Sequence, residues 1–126
     1  MSKVSKETAE TVEEIGIGTV RSSVVGGYEF TFFSFRERGD LGPLLKGLPD
    51  DHCPCPHWGY VSEGRVTFTH SDGSVEVFEA GDAFFVAPGH IPVIEPGTEW
   101  LIISPEEDAA PVTATIQANM AAMMSA

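Results

Sequence analysis

Basic residues are scarce in this sequence: 7 Lys and Arg stand against 19 Asp and Glu in 126 residues, for a formal net charge of −12. Nucleic-acid binding rests on cations that neutralise phosphates, so a nucleic-acid partner is not expected. Anionic membrane surfaces are disfavoured for the same reason. Long apolar runs are also missing, and none approaches the ~20 residues of a membrane span. The opening MSKVSKETAETVEEIG has two lysines but neither an apolar core nor a small-residue cleavage site, so it does not read as a signal peptide. A cytoplasmic location is expected. Cysteine is limited to Cys53 and Cys55, with one proline between them. A disulfide over so short a span would be strained, and a reducing compartment would not maintain it; free thiols are expected. Internal repeats, a Gly-x-Ser-x-Gly elbow, a phosphate-cradling glycine loop and a Cys-x-x-Cys pair are absent as well, which removes the chemistries that those motifs carry.

What is present is β-structure in short pieces. The length suits one domain with enough core to fold without staples. Residues 1–15 form an arm or a short helix, since Ser5 to Glu14 is Glu-rich and free of Gly and Pro. From Gly16 onward the pattern changes. Tyr28 to Phe35 (YEFTFFSF) alternates as a half-buried strand does, until Phe33 interrupts it with a bulge or with burial on both faces. Short apolar segments follow at Tyr60-Val61, Val66 to Thr69, Val75 to Phe78, Ala83 to Val86 and Trp100 to Ile103, separated by Gly- and Pro-containing turns. Such spacing argues for an all-β sandwich or barrel. Ser71-Asp72-Gly73 reads as a hairpin turn. Residues 105–126 read as a helical segment. Ser104 is its expected N-cap, Pro105 its first position and Glu107 the capping-box partner; Pro111 is expected to break it. Val112, Ile116, Met120 and Met123 fall at helical spacing, as a face packed on the sheet or on a second subunit does.

Gly64, Gly81-Asp82 and Pro88-Gly89 resemble the punctuation of the two motifs of the cupin superfamily, small jelly-roll barrels (double-stranded β-helices) that often hold a metal. The resemblance covers about residues 24 to 104 and implies a cupin domain over residues 16–104, flanked by short terminal helices. Relative to Gly64, His57 stands where the family has a metal-binding glutamate. Cys53 or His52 falls where its second histidine would be, and Asp51 or Asp50 where its first would be. In the second motif the histidine comes early, at His90; Pro92 fills its usual place, and the downstream asparagine is missing. Cys-Pro-Cys-Pro-His-Trp-Gly-Tyr-Val with Pro-Gly-His looks like a bacterial subgroup of small single-domain cupins.

The candidate site is therefore His57 and His90, joined by Cys53 or Cys55. Two imidazoles and a thiolate suit Zn²⁺ better than Mg²⁺ or Ca²⁺, with Fe²⁺, Ni²⁺ or Mn²⁺ also compatible, and three protein ligands leave a fourth position open. The competing reading makes the histidines hydrogen-bonded lining of a metal-free pocket and the cysteines small hydrophobes. His52 and His70 are expected to be exposed, and Glu76, Glu79, Glu95 and Glu99 solvated, with Asp82 capping its own turn. Trp58 and Tyr60 are expected on the outer face, while Gly59 points inward and leaves room for a ligand. Three functions fit: a metal-binding cupin acting on a small polar metabolite, whether as isomerase, hydrolase or dioxygenase; a non-catalytic small-molecule-binding or sensor cupin; and a structural homodimer with a vestigial pocket. A homodimer is expected in each case.

Overall fold

The computed structural model describes residues 3–124. Ten strands run β1 (Thr11–Glu14), β2 (Gly18–Val25), β3 (Tyr28–Phe35), β4 (Gly39–Asp40), β5 (His57–Glu63), β6 (Arg65–His70), β7 (Val75–Glu79), β8 (Ala83–Val86), β9 (His90–Ile94) and β10 (Glu99–Pro105), followed by one helix, α1 (Glu106–Met124). Two 3-10 turns, Gly42–Leu45 and Pro49–Asp51, lie between β4 and β5. The strands form a six-stranded sheet in the order β1-β2-β3-β10-β5-β8 and a four-stranded sheet in the order β4-β9-β6-β7. Every pairing is antiparallel.

Alternation along the strands sorts side chains between the barrel interior and its surface. On β10, Trp100, Ile102 and Ser104 are buried while Leu101 and Ile103 are half-buried on the outer side. On β3, Thr31 and Phe35 are buried, and Phe33 faces inward with them, stacking on Trp100 at 4.8 Å between ring centroids. No bulge is needed at Phe33: β3 pairs with β2 and β10 in unbroken register, and Phe30 and Phe32 are half-buried on the opposite face. The core of Phe35, Val61, Val66, Phe68, Phe84 and Val86 fills one half of the barrel.

Three expectations need correction. Residues 11–14 form an edge strand, not a helix: Thr11 pairs with Ser22 and Glu14 with Thr19. Ordering β1 satisfies the open edge of β2, and the backbone of Glu10 adds a bond to Ser23 Oγ at 3.0 Å. Ser104 is not a helix cap, because its hydroxyl lies inside the barrel against His57. Helix α1 also continues through Pro111. Proline removes one intrahelical bond there, but both flanking turns are docked. Ala109, Val112 and Ile116 pack with Leu45, Cys53 and Cys55. Further along, Asn119 Nδ2 donates to the carbonyls of Leu44 and Lys46 at 2.8 and 2.9 Å.

The expected turns form. Ser71-Asp72-Gly73 closes the β6–β7 hairpin, with the Ser74 N–H donating to Asp72 Oδ1 at 2.9 Å. Asp82 Oδ2 accepts the Glu79 N–H at 2.8 Å. Gly64, between β5 and β6, has φ +82° and sits against Thr98: an added Cβ would lie 2.6 Å from the Thr98 Cα. Gly81 has a similar φ, +96°, but open space around it. Gly64→Ala is therefore expected to cost about 2–4 kcal/mol of stability, through both left-handed strain and overpacking. Gly81→Ala should cost only about 1 kcal/mol. Urea denaturation of the two variants checks the difference.

Candidate metal centre

The segment from Cys53 to His57 crosses from one sheet to the other. Cys53 makes an isolated antiparallel bridge to His90, the first residue of β9, with the Cys53 N–H donating to the His90 carbonyl at 2.9 Å. Four residues later His57 opens β5 in the six-stranded sheet. Pro54 and Pro56 disfavour a helical turn at the residues before them, so the segment stays extended and reaches both sheets. Cys53, His57 and His90 converge as a result. One ligating atom from each lies within 4.8 Å of the other two, and all three residues are buried.

The hydrogen bonds fix the imidazole orientations. His90 Nδ1 donates to the Ala87 carbonyl at 2.7 Å, and His57 Nδ1 lies 2.6 Å from Ser104 Oγ. With Nδ1–H committed in this way, Nε2 of His90 is left as a lone-pair donor, and the Ser104 contact allows the same tautomer at His57. Such outer partners orient metal-ligating histidines. His57 Nε2 lies 3.6 Å from Cys53 Sγ, close enough for the thiol to donate to it. The two rings meet nearly edge to face, 4.9 Å apart.

Among the described residues no cation belongs to this cluster, so burial holds it neutral. Burial, and then the neighbouring His90, pushes His57 down to about 3. Burial pushes His90 down to about 4, against the opposing bond to the Ala87 carbonyl. The Cys53 thiol is pushed up to about 11 by burial. At neutral pH the three donors are two uncharged imidazoles and a protonated thiol.

The structure brings together three of the four expected site residues. Cys55 is buried, but its Sγ contacts the Pro56 carbonyl at 3.5 Å and lies outside the cluster. Its thiol is pushed up to about 12, chiefly by burial and then by Cys53. His52 Nδ1 donates to the Asp50 carbonyl away from the cluster. His70 is half-buried rather than exposed and pairs with Glu76 at 2.7 Å. Gly59 does not leave a void, since an added Cβ would meet the Phe84 ring at 2.5 Å. Ser104 is the participant that sequence reasoning missed. Strand alternation from Trp100 through Ile102 points to it, but the adjacent Pro105-Glu106-Glu107 is the stronger signal and suggests a helix cap.

The cluster lines a cavity of about 330 Å³. Phe33, Leu41, Leu45, Trp100 and Ile102 contribute apolar surface, and Val112, Ile116 and Met120 of α1 close one side. Thr11 of β1 and Gln117 of α1 are exposed at its edge. The helical stripe that reads in sequence as a packing face is thus a wall of this cavity up to Met120, while Met123 is exposed.

A two-sheet antiparallel barrel with such an interior pocket is the RmlC-like cupin jelly roll. Solved structures share this fold with the chain. The polyketide cyclase RemF from Streptomyces resistomycificus superposes with a TM-score of 0.59 at 21% identity, covering 84% of this chain and 80% of that one. A protein of unknown function from Rhizobium leguminosarum gives 0.59 at 17% identity, covering 82% and 95%. An RmlC-like cupin from Shewanella frigidimarina gives 0.54 at 23% identity, covering 81% and 88%. No protein-family model and no curated protein matches the chain. At these identities the likeness establishes the fold, and the site stands on its own geometry.

The neutral histidines carry a pH signature in the metal-free protein. Their folded-state values lie below the ordinary value near 6.5, so the unfolded chain binds more protons between that pH and about 4. Stability should therefore be complete above pH about 6.5 and fall as the pH drops, by up to about 3 kcal/mol per pH unit when both rings contribute. Urea midpoints at pH 7.5 and pH 5.0 test this. The slope should flatten in His57→Gln/His90→Gln.

Proposed function

We propose that this protein is a metal-binding cupin whose centre consists of Cys53, His57 and His90, with a fourth position turned to the cavity for a small molecule. The observation that carries this reading is the convergence of three buried donor atoms within 4.8 Å. Two histidines with Nδ1 already engaged and a thiol that becomes a thiolate on metal binding fit Zn²⁺ best; Fe²⁺, Ni²⁺ and Mn²⁺ are the alternatives. Bound there, the ion would polarise a carbonyl or activate water. The protein's own residues would orient it through Ser104 and Ala87, and α1 would keep bulk solvent from one side. The reading places the protein in the cytoplasm, where both thiols stay reduced.

A second reading has one observation in its favour. The 3.6 Å contact between Cys53 Sγ and His57 Nε2 satisfies both groups without an ion, as in a small-molecule-binding or sensor cupin that uses no metal. Elemental analysis after metal-replete expression separates the two. The metal reading expects about one zinc per chain, retained in Cys55→Ser and lost in Cys53→Ser and in His57→Ala/His90→Ala, with thermal melting confirming that each variant folds. Ser104→Ala should weaken zinc binding about 10–100-fold by loosening His57. Because the Cys53 thiol is protonated at neutral pH, calorimetry in buffers of different ionisation enthalpy should find one proton released per zinc, with affinity rising about tenfold per pH unit. A chain that remains metal-free leaves the second reading.

The homodimer is also part of this reading. Tyr28, Trp58, Tyr60 and Phe85 are 45–49% exposed. The register joins Trp58 to Phe85 and Ile103, and Ile103 to Phe30. An apolar band thus crosses the outer face of the six-stranded sheet, the kind of surface that soluble monomers rarely leave open. Light scattering should give twice the chain mass, and Trp58→Glu/Phe85→Glu should give the monomer.

A further inference from the structure

The expected ligand was a small polar metabolite, but the cavity has the wrong lining for one. Aromatic and aliphatic side chains make most of its wall, and neither Lys nor Arg is among its lining residues. The charged residues that do reach it are Glu13 and Glu29. A phosphate, sulfonate or polycarboxylate would lose its hydration there and meet two carboxylates without a cation. A sugar would leave most of its hydroxyls facing hydrocarbon. Volume adds a bound on size. A cavity of ~150 Å³ accommodates one benzene ring, and this one is about 330 Å³, which leaves space for two fused rings.

The polar point of the wall is the Cys53–His57–His90 cluster, whose donor atoms converge within 4.8 Å. An ion held there would accept an oxygen of the ligand at its open position.

We infer that the cavity takes a neutral, mainly apolar molecule of one or two rings that carries at least one acceptor oxygen, as a phenol or an aryl ketone does. This rests on the proposed site for its location and for the point that takes the oxygen, and the apolar lining and the missing Lys or Arg set its chemistry. The ring body lies against Phe33, Leu45 and Ile116, and the oxygen is held at the polar end of the wall.

Calorimetry with 2-naphthol, naphthalene and glucose 6-phosphate tests it, on zinc-loaded and zinc-free samples whose metal content is measured separately. Saturable binding of one 2-naphthol per chain, with no binding of glucose 6-phosphate, is expected. Ile116→Trp should abolish 2-naphthol binding and leave zinc content unchanged. Met120→Trp, nearer the cavity edge, serves if thermal melting shows that Ile116→Trp does not fold. Naphthalene, which lacks the oxygen, should bind about tenfold more weakly than 2-naphthol, a difference typical of one hydrogen bond. Absence of saturable 2-naphthol binding, or tighter binding of the sugar phosphate, overturns the inference. Binding of 2-naphthol by a chain that takes up no zinc retains the ligand class and removes the metal centre. Zinc uptake without 2-naphthol binding does the opposite.

Discussion

The antiparallel bridge between Cys53 and His90 is the joint on which the interior depends. It ties the segment ahead of β5 to the start of β9, so one short stretch of chain belongs to both sheets. Without it the thiol and the two imidazoles would sit on separate layers. With it the three side chains share one point, and the five residues from Cys53 to His57 have no slack in which to separate. Proline at positions 54 and 56 supports this by removing alternative turns.

The surroundings of that point explain its chemistry. Burial disfavours charge on each group, and no cation or carboxylate belongs to the cluster to offset that cost. The result is a set of neutral donors whose outer nitrogens are already committed. A divalent ion would gain a ready coordination shell and displace only the thiol proton. The same dryness governs the remainder of the cavity. Apolar side chains make most of its wall and favour apolar ligand surface, while the unpartnered Trp100 indole nitrogen is a buried cost that the fold itself carries.

Much of the architecture was legible in the sequence because turns are local. Gly64, Gly81-Asp82 and Ser71-Asp72-Gly73 act through backbone conformation and nearest-neighbour hydrogen bonds, and all fall where the pattern puts them. Trp58 and Tyr60 were assigned to the outer face by alternation alone, and the structure places them there. The errors have a common cause. Thr11 to Glu14 lies in a Glu-rich stretch that masks the β-favouring Thr11 and Val12, and it becomes a strand because β2 offers it an edge. Pro111 stays inside α1 because packing on both sides outweighs one missing bond. Ser104 has the sequence of a helix cap and the environment of a ring partner.

By itself, the sequence determined the β-rich class, the turn positions and the pair of histidines worth attention, since these follow from residue type and spacing along the chain. The tertiary structure alone decided which cysteine joins them, what orients His57, and that the adjoining cavity is mainly apolar with neither Lys nor Arg in its lining. Those properties depend on distances between residues far apart in the chain, such as His57 and Ser104 at 2.6 Å, or Thr11 and Met120 on one cavity. Chain order sets no such distance until the two sheets close on each other.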